Sequence, residues 1–342
     1  MKQGRRVSVI AGALLALSTF ALDGAAAPAL GQWRPLLKVP GIVDVAGPRS
    51  DGQLVLSTTN GLFLFRPGGT ARPVAVGAGG YKAGGGEPYL ALASGSPVSG
   101  VPGCSFERGD LFVLDAGPKP GVVRVRSSGQ ASRFYDFASG AFPSGIAFDR
   151  VGRFGYRLLV TVTLSNKSTT LYAIDCLAHA SAIAEGAPRV EGGIVVAPQS
   201  FGRFGGQLIA ADENSGRLYA FDRKGTVKLV VRSGLRPGGD IGVESLGFVP
   251  SSVARGSAVY FGDLGAPKSP TKGHDSLLVL RGQDLTRAHL RGGELLAAAE
   301  GGGTTIAVRC QAGCTVRQVA RGLADSHGEG HLVFVSGTDV HP

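Results

Sequence analysis

Charge is scarce in this chain: 18 % of its residues are Asp, Glu, Lys or Arg, against 43 % hydrophobic. That balance is too apolar for an intrinsically disordered chain. Lys/Arg runs and basic stretches interleaved with aromatic platforms are also missing. The net charge of +10 is scattered through turns, and nucleic acid is not an expected partner. No G-x-S-x-G elbow, P-loop or H-E-x-x-H occurs, which removes the simplest esterase, nucleotide and zinc-protease templates. The Gly-x-Gly strings lie in β-turns with no helix after them, so they are not dinucleotide fingerprints. Beyond the first thirty residues no apolar run is long enough to span a bilayer.

Glycine is abundant, 55 of 342 residues, which disfavours long helices and suits short strands joined by tight turns. The N-terminus differs from the rest. Lys2, Arg5 and Arg6 precede an apolar run from Val7 to Leu22, and Ala25-Ala26-Ala27-Pro28-Ala29 offers small residues for cleavage. Residues 1–29 are therefore expected to be an export signal peptide, and residues 30–342 a single domain that works outside the cytoplasm, secreted or periplasmic. Arg5-Arg6 also permits a twin-arginine route, and an uncleaved anchor is the competing possibility, although 16 apolar residues are short for a span. Four cysteines in an exported chain point to disulfides. Cys310 and Cys314 flank an expected hairpin turn and could bridge it, in which case Cys104 and Cys176 pair by elimination; three connectivities remain open.

The stretch from Glu191 to Val231 holds four short apolar runs, starting at Gly193, Gln207, Arg217 and Thr226, each bounded by turn residues. Such runs predict a four-stranded antiparallel meander. Copies of the first run recur at Gly41, Pro88, Ser144, Ser245 and Gly330, and second runs begin near Leu54, Leu111, Leu158, Leu208, Val259 and Leu295. Arg291 to Gly322 parallels Arg203 to Gly234 nearly run for run. No first run lies between Leu290 and Leu295; the missing copy stands at the C-terminus near His331, while Trp33 to Val39 forms a spare outer run at the other end. The pattern predicts an all-β fold, a six-bladed β-propeller of four-stranded antiparallel blades closed by exchange of terminal strands, and a monomer.

Candidate chemistry lies at the starts of the first runs. Glu87, Glu191, Glu244 and Glu329 occupy one register, with Pro143 and Pro40 in the other two copies. In a propeller these positions ring the mouth of the axial channel, where converging carboxylates suit a divalent metal such as Ca²⁺, Mg²⁺ or Mn²⁺. Asp115, Asp212 and Asp263 share a second register at the ends of the second runs. Turn capping is the alternative role for these aspartates, and pairing with Arg189 or Arg236 the alternative for the glutamates. In His327-Gly328-Glu329-Gly330-His331 an extended backbone would turn both imidazoles and the carboxylate to one face, for metal binding or acid/base work. His331 and Asp212 are the candidate bases. His179, His274, His289 and His341 are isolated and expected in surface or loop roles.

Pro143 to Asp149, Glu191-Gly192-Gly193-Ile194 and Gly216 to Asp222 make the chain from about Trp33 onward resemble the six-bladed propellers of the TolB-like and gluconolactonase-like (regucalcin-type) superfamily. The resemblance implies a divalent metal held at the channel mouth by a Glu, an Asn and an Asp that open inner strands, the Asp also serving as base in lactone hydrolysis. Glu191-Gly192-Gly193 can stand for the first of these; Ser144-Gly145 takes the Asn-Gly place, and no Asp-Gly opens an inner strand. Two functions follow as expectations. One is an exported propeller that binds a small molecule or cell-envelope partner at an acidic channel mouth. The other is a metal-assisted hydrolase of a sugar-like lactone or ester.

Overall fold

The computed structural model describes residue 1, residues 29–251, residue 253 and residues 256–336; the expected leader and His341 fall outside them, apart from Met1 and Ala29. Among the described residues strands dominate, with one short helix at Gly282–Arg287 and one 3₁₀ turn at Gly202–Phe204. The second runs begin where expected, giving strands Leu54–Thr58, Leu111–Asp115, Leu158–Thr163, Leu208–Asp212, Ala258–Asp263 and Leu295–Ala299. Their registers are set by apolar residues that face neighbouring sheets and by the glycine and aspartate turns between them.

Four sheets are separate and four-stranded, each running in chain order from an inner to an outer strand. Their inner strands are Ile42–Ala46, Leu90–Leu92, Phe142–Phe148 and Glu191–Val196. The remaining strands form one nine-stranded sheet instead of two further separate sheets. Within it Val243–Phe248 pairs with Leu295–Ala299, and Gly328–Val335 pairs with Ala258–Asp263. A single parallel pairing of Leu246 with His331 joins the two halves.

The interleaving corrects the order read from the repeats. After Val243–Phe248 the chain crosses to lay down Ala258–Asp263 and Ser276–Arg281, then returns for Leu295–Ala299, Thr305–Cys310 and Cys314–Arg321. The C-terminal strand, whose place the repeats left open, joins Ala258–Asp263. At the other end Gly31–Gln32 pairs in parallel with Cys314–Arg321 and Arg34–Lys38 pairs with Ser276–Arg281, so the N-terminal segment covers both outer edges of this sheet.

Apolar clusters fill the space between consecutive sheets. Leu62 and Leu64 pack with Leu90 and Leu111, Phe112 with Phe148, Leu159 with Leu208, and Ile209 with Leu246. The series continues between the two halves of the large sheet, where Leu296 meets Leu278, and ends where Tyr260 and Leu277 meet Ile42 and Leu56 of the first sheet. The layers thus form a ring, and each small sheet buries both faces. Two disulfides are present, Cys310–Cys314 across a hairpin and Cys104–Cys176 between the second and third sheets.

Candidate functional site

The inner strands converge on the axis, and their N-terminal ends carry the acids. Glu191 is the first residue of its strand; Glu244 and Glu329 are the second of theirs. Each of these strands is bulged just beyond its acid. Glu191 and Val195 oppose Ala211 and Ile209, and Glu329 and Val333 oppose Gly262 and Tyr260, so a step of four residues runs against a step of two. Val243 and Ser245 similarly oppose Ala299 and Ala298. A bulge re-aims the side chains beside it, and here it marks the mouth.

The centre of the cluster is Tyr89, a fully buried residue in the stretch that opens the second inner strand. Its hydroxyl lies 2.7 Å from Glu87 Oε2, 2.6 Å from Glu244 Oε1 and 2.8 Å from Glu329 Oε2. An O–H donates one hydrogen bond and its oxygen accepts two. Three ionised carboxylates around it would leave two oxygens facing a lone pair, so the cluster demands either protons or a cation. Glu87, Glu244 and Glu329 could accordingly share one metal ion.

Two further groups adjoin this one: Glu300, His327 and Glu329, and Glu213, Glu244 and Glu300. His327 Nε2 lies 3.0 Å from Glu300 Oε1 and 3.3 Å from Glu329 Oε1, while its Nδ1 meets the hydroxyls of Ser269 and Thr271 at 3.2 Å. Those hydroxyls can donate or accept, so either tautomer is served and Nε2 is free to act as a ligand. Glu300 is only 4 % exposed, and its Oε2 has no hydrogen-bond partner. An orphaned carboxylate oxygen in that position costs free energy unless a cation or proton meets it.

Burial sets the electrostatics. It raises the pKa of Glu244 and Glu329 far above the ordinary carboxylate range, and neighbouring glutamates raise them further. Glu87 is raised by burial too. Glu300 is pushed up to about 11 by burial and then by Glu244, and Glu191 to about 7 by burial and Glu87, with Arg189 opposing. Burial lowers the pKa of His327, which favours the neutral imidazole.

The expected residues divide. Glu87, Glu244 and Glu329 come together. Glu191 sits at the rim, where the Arg189 guanidinium pairs with it and reaches Glu213 at 3.4 Å. Asp212 caps its own turn, accepting from the Ser215 amide at 3.2 Å and from the Ser215 hydroxyl. Asp115 accepts from the Gly117 amide and pairs with Arg133; Asp263 holds the His327 amide and the His274 ring. The Ser144 hydroxyl is spent on the Val190 carbonyl at 2.9 Å.

His331 does not share the cluster of His327 and Glu329. Gly330 has φ +70° at the bulge, which breaks the alternation an extended strand would keep. Instead His331 Nδ1 meets Asp44 Oδ2 at 2.9 Å and its Nε2 lies 3.1 Å from the Ile194 carbonyl. Asp44 is fully buried and also accepts from the amides of Val45, Leu90 and His331, tying three inner strands together on the axis. Tyr89, Glu213 and Glu300 join the cluster without having been expected from the sequence. Glu300 and Glu213 align when the second runs are superposed with Leu295 on Leu208, one residue past the Asp register, so that signal was present.

No protein-family model matches this chain, and no curated protein matches it. Solved structures do. A chain of the nidogen/laminin complex aligns with TM-score 0.53 at 11 % identity, covering 86 % of this chain and 85 % of that one. Regucalcin of Agrobacterium tumefaciens, a calcium-binding protein, aligns at 0.49 and 10 % identity, covering 88 % and 81 %. Virginiamycin B lyase from Staphylococcus aureus aligns at 0.46 and 9 % identity, covering 84 % and 73 %. Together with the ring of small antiparallel sheets, the fold is an all-β propeller.

Proposed function

We propose that the acidic mouth holds a divalent cation, and that the protein is an exported binding propeller which takes a small ligand or envelope partner there. The observation that carries this reading is the Tyr89 hydroxyl ringed by three carboxylates beside the orphaned oxygen of Glu300. Glu244, Glu300 and Glu329 are the central ligands, with Glu87, Glu213 and His327 completing the set. Hard oxygens with one imidazole suit Ca²⁺, Mg²⁺ or Mn²⁺. When bound, the ion would supply charge neutralisation and open positions for an oxygen-bearing ligand. The nine-stranded sheet is read as two blades joined at Leu246 and His331, which makes six in the ring.

The test is a thermal melt with each cation in turn. At about 100 times its Kd an ion binding only the native state adds about 2.7 kcal/mol, a melting-point rise of several degrees. A Glu300→Gln, Glu329→Gln double variant should lose that rise. The absence of any rise with all three ions, and of metal in the purified protein, would sink the proposal. Hydrolysis of a sugar-like lactone or ester is the second reading, favoured by the neutral His327 beside Glu300 and Glu329. Metal-dependent turnover on a lactone and ester panel, lost in His327→Gln, would support it.

A further inference from the structure

The other end of the axis has a different chemistry. The C-terminal halves of all six inner strands enclose a cavity of about 370 Å³, within the range of small-molecule sites. Apart from Arg150 and His331 its lining side chains are apolar among the described residues, drawn from residues such as Leu92, Ile146, Val195, Phe248, Val333 and Phe334. His331 closes it toward the axis, and both of its ring nitrogens are engaged by Asp44 and Ile194. The strand direction places this cavity opposite the acidic mouth, because the acids sit at the N-terminal ends of the same strands.

Val195, Phe248 and Phe334 keep partial exposure, so the cavity is reached from solvent. Among the described residues one arginine lines it. Arg150 is exposed, makes a 3.3 Å hydrogen bond to the Leu92 carbonyl and has no carboxylate partner among the described residues. Among the described residues no Asp or Glu lines the cavity. An apolar pocket with one unpaired guanidinium at its edge matches an amphipathic anion: the body removes apolar surface from water while Arg150 meets the carboxylate.

We infer that the propeller has a second binding site, at the end of the axial channel opposite the acids, for a monocarboxylate with a hydrophobic body. Calorimetric titration with decanoate tests it. Saturable binding of one decanoate per chain is expected. Octanoate, two methylenes shorter, should bind roughly tenfold more weakly. Decyltrimethylammonium should bind at least about tenfold more weakly than decanoate. Arg150→Gln should weaken decanoate about three- to tenfold and leave decanol unchanged. Val195→Trp should abolish binding by filling the cavity. EDTA and Glu329→Gln should leave decanoate affinity as it was, which separates this site from the acidic mouth. No saturable binding to the unmodified protein would overturn the inference, as would equal affinity for the anion and the cation or indifference to Arg150→Gln.

Discussion

At the scale of single residues the acidic mouth stores a pH dependence. A glutamate whose folded pKa is raised is protonated when folded at pH values where the unfolded chain has already lost its proton. The native state then holds more protons, and stability falls as pH rises from the unfolded pKa toward the folded one. For Glu191 that window runs from 4.5 to about 7, and for Glu300 it extends up to about 11. In EDTA the melting point should therefore fall by roughly 5 °C or more between pH 5 and pH 8. Saturating Ca²⁺ should remove the fall, because a bound cation favours the ionised carboxylates. His331, raised above its ordinary value because Asp44 outweighs burial, contributes a fall in the same direction. The Glu300→Gln, Glu329→Gln double variant separates the two sources by flattening only the glutamate part. An equal slope in that variant would show that the mouth does not titrate as argued.

The bulged inner strand is the element that converts a repeat into a site. Gly330 takes φ +70°, and a Cβ there would lie 2.2 Å from Asp44 Oδ1. Alanine must therefore adopt a left-handed backbone and displace a fully buried carboxylate, at a cost of about 2 kcal/mol or more. Gly330→Ala should lower the unfolding free energy extrapolated from a urea titration by that amount. It should also speed hydrogen exchange at the amides of Val45, Leu90 and His331, which all donate to Asp44. Unchanged exchange at these three amides would refute the axial role given to Asp44. The same element shows what a sequence can reveal. The runs at Leu54, Leu111, Leu158, Leu208 and Leu295 begin strands where alternating apolar residues meet turn residues, because both signals are local. The placement of His331 was not local. It depends on a bulge that a strict period of two does not contain, so His327 and His331 were expected together and lie apart. Tyr89 was hidden for a related reason, since a tyrosine within an apolar run resembles core until its hydroxyl is seen among acids.

For the whole molecule the question is what closes the ring. The repeat pattern foretold terminal strands that complete other units, and the large sheet does use Arg34–Lys38 and Gly328–Val335 at the two sides of one half. It could not foretell the crossing by which Ala258–Asp263 and Ser276–Arg281 are laid down before Leu295–Ala299. Local pattern names strands, whereas partner choice is settled by packing between sheets. The consequence is that the last strand does more than cover an edge. Gly328–Val335 carries Glu329 to the mouth and His331 to the axis, pairs with Ala258–Asp263, and touches Val243–Phe248 through Leu246. Removing residues 323–342 should therefore abolish cooperative unfolding and cation binding together, since one segment supplies an inner strand and a central ligand. A synthetic peptide of residues 323–342 should restore both when added to the truncated protein, by re-forming the inner strand against Ala258–Asp263. The same peptide with Glu329→Gln should restore cooperative unfolding without the cation-dependent rise in melting point. A truncated protein that melts as sharply and as late as the full chain would show that the ring closes without its last strand.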